Sequence, residues 1–350
     1  MATPVRLALR RAQHKVRYVR PVRFGEATGQ VAEVYRQLEA DFGMLAPPVS
    51  LHSPAPAVLP AVWVLLREAL LVDRQASRLD RETVAAAVSS ANTCPYCVEV
   101  HTTTATDLAG AAGFAPEVTA LGRWAAEQGP AEFPVAQAAE FIATAVAFHY
   151  LNRMVNVFCE PSPFPSALPP SAKRVARGVL ARTVRRRPDP AAATARDLLP
   201  AGPVPAELDW AEGQPELADA LARAYAAFEA AGERSVPAEV RRLVRAETSR
   251  MRERAPGLDA EWLNSPLSTL ASPLRPVGRL ALLTALASYR VQPADVAAAS
   301  LSPTALVELT SWASFTAARS AGRRLVATVL PENSPESGKD DGTITARKQV

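Results

Sequence analysis

The residues best suited to chemistry lie in one short stretch, Cys94-Pro95-Tyr96-Cys97-Val98-Glu99-Val100-His101, with Glu82 twelve positions before the first cysteine. The pattern Glu-x11-Cys-x2-Cys-x3-His brings together a carboxylate, two thiols and an imidazole. These groups can generate a thiolate, react it with an oxidant and close a disulfide. On a helix, Cys94 and Cys97 are i, i+3 neighbours on one face, near enough for a disulfide with little backbone movement. His101 follows Cys97 by one turn. A helix's first turn also favours negative charge through its unpaired N–H groups and macrodipole. Both effects lower a thiol pKa from about 8.5 toward neutrality, and the thiolate is the form that attacks. The spacing therefore makes Cys97 the more acidic thiol. Glu82, on the preceding helix, is placed to orient or polarise His101. All four histidines and all three cysteines fall at or before position 159, which confines thiol and imidazole chemistry to the first half of the chain.

Each of these residues also has a simpler use. Two cysteines at this spacing fit as small apolar core residues. Cys-x2-Cys-x3-His supplies three zinc ligands, but a structural site needs four and a second pair is missing; His149 or Cys159 could complete it. Haem attachment is disfavoured because Val98, not His, follows Cys97. Glu82 alone is an acidic residue in a helix's first turn. His149 lies on the stripe Ile142, Val146, His149, Arg153 and reads as a satisfied core histidine, with a supporting role beside the thiols as the alternative. Cys159 reads as a spectator, His52 as a loop residue bordering the active site, and His14 as part of a basic arm.

The elements that must position the motif are helices. Between Phe24 and Glu160 the spacing predicts helices over 27–40, 60–72, 82–92 with Asp80 as N-cap, 94–109 stopped by Gly110, and 135–158. No segment alternates with period two for long, so the fold class expected is all-α. Proline clusters at 161–170 and 188–205 bracket an amphipathic helix over 171–184 and mark a connector. Helices resume at 215–231 (stopped by Gly232), 237–254, 277–289 and 303–324. The organisation expected is a basic arm at 1–23, a thiol redox domain at 24–160, a proline-rich connector at 161–209, a second helical domain at 210–330 and a disordered tail at 331–350. The second helical region reads as a worn repeat of the first: Glu239 overlays Glu82, Met251 and Arg254 overlay Cys94 and Cys97, and Leu258 overlays His101. The helix holding Trp312, Phe315 and Arg319 echoes the one holding Val146, His149 and Arg153.

Composition narrows the class further. With 350 residues, 48% of them apolar, the chain can bury two proper cores. Three cysteines cannot form a secreted disulfide framework. The N-terminus is basic but lacks the apolar core of a signal peptide, and no stretch reaches the roughly 18 apolar residues of a membrane span. The expectation is a cytoplasmic protein with no membrane partner. A net charge of +4 is too small to suggest a nucleic-acid binder.

The segment from Glu82 to His101, including Ser89-Ser90-Ala91-Asn92-Thr93 before Cys-Pro-Tyr-Cys, resembles the alkylhydroperoxidase-D branch of the carboxymuconolactone decarboxylase family. The looser resemblance runs from about Val34 to Phe158 and includes Asn152-Arg153 in the closing helix. It implies an all-helical fold and a thiol-dependent hydroperoxidase or disulfide oxidoreductase. On that reading Cys97 is the peroxidatic cysteine, activated by His101 and Glu82 through a proton relay, and Cys94 resolves the sulfenic acid into a Cys94–Cys97 disulfide. A dithiol partner, in that family typically a lipoylated protein, then reduces it. No tightly bound cofactor and no metal are implied. The family's founding enzymes carry a second histidine between the cysteines where this chain has Tyr96, which can donate a hydrogen bond but cannot act as a base near pH 7. Tyr96 and His149 are the candidates for supporting roles. The second domain would replace a subunit that simpler relatives recruit by homo-oligomerisation, and a homo-oligomer of this chain stays open. Two rival functions remain: a lyase like the decarboxylases of the same superfamily, which does not need a thiol pair, and a non-enzymatic redox sensor or interaction protein.

Overall fold

The computed structural model describes residues 16–111, 113–165, 167–185, 195–250 and 261–329. Among them every regular element is helical, apart from one isolated antiparallel bridge between Val16 and Cys159. The α-helices in chain order are α1 Gly29–Gln37, α2 Pro47–Ser50, α3 Leu59–Leu66, α4 Arg78–Ala91, α5 Pro95–Ala109, α6 Ala120–Ala125, α7 Ala138–Phe158, α8 Pro170–Arg185, α9 Pro215–Ser235, α10 Ala238–Arg250, α11 Asn264–Ser268, α12 Arg275–Leu286, α13 Pro293–Ala299 and α14 Pro303–Val329. None of the described helices is long and apolar enough to cross a membrane.

Two helices explain the architecture. Helix α7 is buried at almost every position, and α14 is buried along most of its length. A helix buried on every side has no solvent face and must sit in the middle of the molecule. The two pack against each other as the central pair. Helices α4 and α5 form a hairpin against α7; α9 and α12 pack on α14, and α9 also reaches α3. The apolar core therefore runs without interruption from residues of the first helical region to residues of the second. The described end of the basic arm is a strap: Arg17 donates through Nη2 to the Asn156 carbonyl (2.7 Å), and the Val22 amide donates to Ser53 Oγ (2.8 Å).

Several helix ends differ from the sequence expectation. The N-cap of α4 is Ser77, not Asp80: Ser77 Oγ accepts from the Asp80 amide (3.1 Å) and donates to its carboxylate (2.7 Å). Helices α1 and α3 each end in a wider π turn, Leu38–Phe42 and Arg67–Leu71, and Arg67 Nε ties the two turns together on Asp41 (2.8 Å). Helix α9 does not stop at Gly232 but runs through it, because the glycine is needed for packing. A Cβ there would lie 2.2 Å from Cδ1 of Trp312 on α14. The overlays of Met251, Arg254 and Leu258, His14 with residues 1–15, and the tail at 331–350 lie outside the described residues.

Candidate active site

The site is built on the α4–α5 hairpin. Thr93 adopts a left-handed conformation (φ 52°), which turns the chain sharply between the helices. Cys94 is the N-cap of α5, Pro95 occupies the first helical position without losing a needed N–H, and Gly110 ends the helix in the left-handed region (φ 63°). In an antiparallel pair, residues at comparable distances from the turn lie side by side. Glu82 and His101 are so placed.

Their side chains meet. His101 Nδ1 lies 2.6 Å from Glu82 Oε2, and Glu82 itself is completely buried. The other carboxylate oxygen, Oε1, receives Arg78 through Nε at 2.7 Å and Nη2 at 2.6 Å. Burial alone would raise the Glu82 pKa, but the charges of Arg78 and His101 outweigh it and hold the carboxyl at about 2. An ionised Glu82 can only accept, so Nδ1 must carry the proton and donate it. Whenever the ring gives up its other proton, Nε2 is the nitrogen left to act as a base. Phe148 packs edge-on against the imidazole (centroids 4.4 Å apart) and fixes its plane.

Cys94 and Cys97 are unlinked thiols, 1% and 3% exposed, and they contact each other. Burial pushes the Cys97 thiol well above its ordinary range, and the neighbouring Cys94 pushes it the same way; the Asn152 amide acts in the opposite direction as a hydrogen-bond donor to the sulfur. The expected acidic Cys97 is therefore not the resting state. Sequence spacing registers the helix terminus and the imidazole, but not the loss of water around the sulfur, which here is the larger effect.

Asn152, which lies outside the cysteine motif, is held by two neighbours. Its Nδ2 donates to Ser89 Oγ (2.9 Å), and its Oδ1 accepts from Asn92 Nδ2 (3.0 Å). The same helix also carries Glu140, His149, Arg153 and Asn156, so sequence alone does not single Asn152 out. His149 joins this network through the Asn92 amide, whose nitrogen and oxygen lie 3.0 and 3.2 Å from Nδ1. Burial and the Arg153 charge keep the His149 ring neutral, its pKa well below the usual value, and its Nε2 has no hydrogen-bond partner among the described residues. His52 does not border the site. It is buried in the core, where Tyr150 Oη lies 2.7 Å from its Nε2 and Nδ1 lies 3.1 Å from the Val49 carbonyl. Among the described residues no group of three His, Cys, Asp or Glu side chains is placed to hold a metal ion.

An apolar cavity of about 550 Å³ opens beside the second thiol. Cys97, His101, Tyr96, Phe148, Leu151 and Cys159 stand in its wall. Tyr96 is a neutral phenol there, since burial and the surrounding thiols raise its pKa well above the ordinary value.

A model of the carboxymuconolactone decarboxylase family matches residues 57–141, which include the α4–α5 hairpin. The chain is 37% identical over 330 residues to the alkyl hydroperoxide reductase Rv2159c of Mycobacterium tuberculosis, a match covering 88% of this chain and 94% of the relative. This chain belongs to the carboxymuconolactone decarboxylase family. Its place there is the alkylhydroperoxidase-D-like branch. Because the match to the relative runs over most of both chains, the family likeness extends past the thiol motif into α9–α14. No solved structure matches the chain.

Proposed function

We propose that this protein is a thiol-dependent alkyl hydroperoxidase, with Cys97 as the peroxidatic thiol, Cys94 as the resolving thiol, and Glu82 and His101 as the proton relay. The observation that carries this reading is the buried Arg78–Glu82–His101 chain, ending on an imidazole one turn from Cys97 in the wall of an apolar cavity. The relative's name supports it.

The chemistry follows from the positions. The resting Cys97 thiol holds its proton, so the thiolate forms only when a base takes that proton. His101 Nε2 is the base, and the imidazolium is stabilised by Glu82, as in other base–carboxylate pairs. The thiolate attacks the terminal oxygen of the hydroperoxide. The O–O bond breaks, and the alkoxide leaves as alcohol after taking the proton from His101. Cys97 is left as a sulfenic acid. Cys94 then attacks that sulfur, water departs, and a Cys94–Cys97 disulfide forms. A dithiol, such as the lipoyl arm of a carrier protein, returns both thiols. The redox equivalents pass through this disulfide alone, with no other cofactor, in a reducing compartment such as the cytoplasm.

Intact mass and thiol counting before and after one equivalent of an organic hydroperoxide test the proposal. The expected result is loss of two hydrogens and two thiols per chain, restored by a dithiol over repeated turnovers. In Cys94→Ser, Cys97 should gain one oxygen instead. Peroxide consumption that continues in Cys97→Ser would overturn the assignment. A single oxidation without turnover would favour a redox sensor.

A further inference from the structure

Two cavities meet at the thiol pair and divide its sulfurs between them. The apolar cavity of about 550 Å³ includes Cys97 in its wall but not Cys94. A more open groove of about 1050 Å³ includes Cys94 but not Cys97. The partition between them is α8. Lys173, Arg177 and Ala181, spaced by one turn, face the groove, whereas Ala176, Val179 and Leu180 face the cavity. Helix α8 lies along α5 and is clamped there: Arg177 donates to Glu99 Oε1 through Nε (2.9 Å) and Nη2 (2.6 Å), and Ser162 Oγ donates to Glu99 Oε2 (2.7 Å).

We propose that the groove is a second binding site, which receives the dithiol reductant at Cys94, while the hydroperoxide reaches Cys97 only through the apolar cavity. This rests on the peroxidase reading above and adds to it where each reactant enters. Two observations support the division. The apolar cavity suits an alkyl chain, since apart from Tyr96, His101, Glu160 and Ser162 its wall offers only apolar side chains and the two thiols Cys97 and Cys159. The groove is wider and lined by Ser90, Thr93, Thr102, Thr103 and Thr106, hydroxyls that can hydrogen-bond a polar carrier arm. Sulfur chemistry gives an independent reason. Attack on Cys94 by the reductant's thiolate breaks the Cys94–Cys97 bond and expels Cys97 as a thiolate; the proton given up by that first reductant thiol reaches Cys97 through the His101–Glu82 relay beside it. The reductant's second thiol, as thiolate, then displaces Cys94; the reductant leaves as a disulfide, and Cys94 takes up the remaining proton. Attack on Cys97 from the cavity would expel Cys94, which has no such relay, and leaving-group stabilisation governs these exchange rates. Both sulfurs are almost fully covered at rest, so the wall formed by α8 must give slightly to admit either reactant.

The two half-reactions of the full-length protein can be measured separately: thiol loss to cumene hydroperoxide or hydrogen peroxide, and reduction of the preformed disulfide by dihydrolipoamide. Ser90→Trp, at an exposed groove position, should slow disulfide reduction by about tenfold or more and leave thiol oxidation unchanged. Val179→Trp, at a position 36% exposed on the cavity side, should slow oxidation by cumene hydroperoxide by a similar factor and spare both oxidation by hydrogen peroxide and disulfide reduction. If either variant slows both half-reactions alike, or neither variant has an effect, the two-port arrangement is wrong while the peroxidase reading stands. A wild-type protein that loses no thiols to peroxide would instead remove the peroxidase reading and the ports with it. Labelling of the native reduced protein gives an answer independent of the variants' folding. A charged aromatic disulfide reagent should mark Cys94 and a small neutral one Cys97, and marking of Cys97 by the charged reagent overturns the division.

Discussion

The Cys97 proton decides how fast this site can work. Burial makes the thiol a weak acid, so little thiolate exists at neutral pH until His101 removes the proton. His101→Ala should therefore slow peroxide-driven thiol loss by about 10²–10⁴-fold, the usual range for a positioned base, with the helical circular-dichroism spectrum unchanged. A wild-type rate in this variant would mean that Cys97 ionises without help. Arg78, which the motif does not contain, sets the acid limit. It is the largest influence holding Glu82 down to about 2 against the effect of burial. In Arg78→Gln burial is opposed by His101 alone, and the carboxyl pKa should rise. Glu82 would then protonate at higher pH, and the acid limb of the pH–rate profile should move upward. An unmoved acid limb would show that Glu82 does not need to be ionised for turnover.

Between helices, the tightest constraint is the crossing of α9 over α14 at Gly232. A methyl group there would fall on the Trp312 ring, so Gly232→Ala must push the helices apart despite alanine's better helix propensity. Overpacking of this kind costs about 1–3 kcal/mol, and the thermal midpoint should fall. A midpoint that rises would mean Trp312 has room to swing aside. At the start of α4 the side chain that matters is Ser77. Ser77→Ala should cost about 1 kcal/mol by removing the acceptor for the Asp80 amide. That same helix carries Arg78 and Glu82, so denaturant unfolding and peroxide turnover should both register the change.

For the molecule as a whole, the shared core sets both cooperativity and acid stability. Helices α7 and α14 bury each other, so cutting the chain near Pro203 leaves the α7 face uncovered, and the 1–203 fragment should aggregate or self-associate. A soluble, monomeric and fully active fragment would show that the first half has a core of its own. Acid should unfold the intact protein through its buried histidines. Burial lowers the His52 pKa from 6.5 to about 3. Below pH 6.5 the unfolded chain therefore takes up a proton that the folded chain refuses, and stability falls with pH until the folded ring also protonates near 3. For one such group the slope is about 1.4 kcal/mol per pH unit. Urea midpoints between pH 7 and pH 4 should show it, and His52→Gln should flatten it. His149, shifted in the same direction, contributes to the same acid slope.

Neighbouring residues alone specify the all-helical class, the helix start at Cys94-Pro95, its end at Gly110, and the pairing of Glu82 with His101. These rest on short-range rules, namely helical periodicity, the turn residues and the length of one hairpin. Tertiary structure decided the rest. The protonated resting state of Cys97 depends on water excluded by α7 and α8, which lie far from the motif in sequence. Arg78 and Asn152 enter the site because the hairpin and α7 bring them there, and neither belongs to the cysteine motif. His52 lies in a turn, as expected, but sequence cannot show that it points into the core and away from the thiols, because its partner, Tyr150, is almost a hundred positions away. Gly232 reads in sequence as a helix stop because sequence shows a missing side chain but not the indole that fills its place. Local geometry is written in neighbouring residues, whereas burial and charge at a site come from chain segments that only the fold brings together.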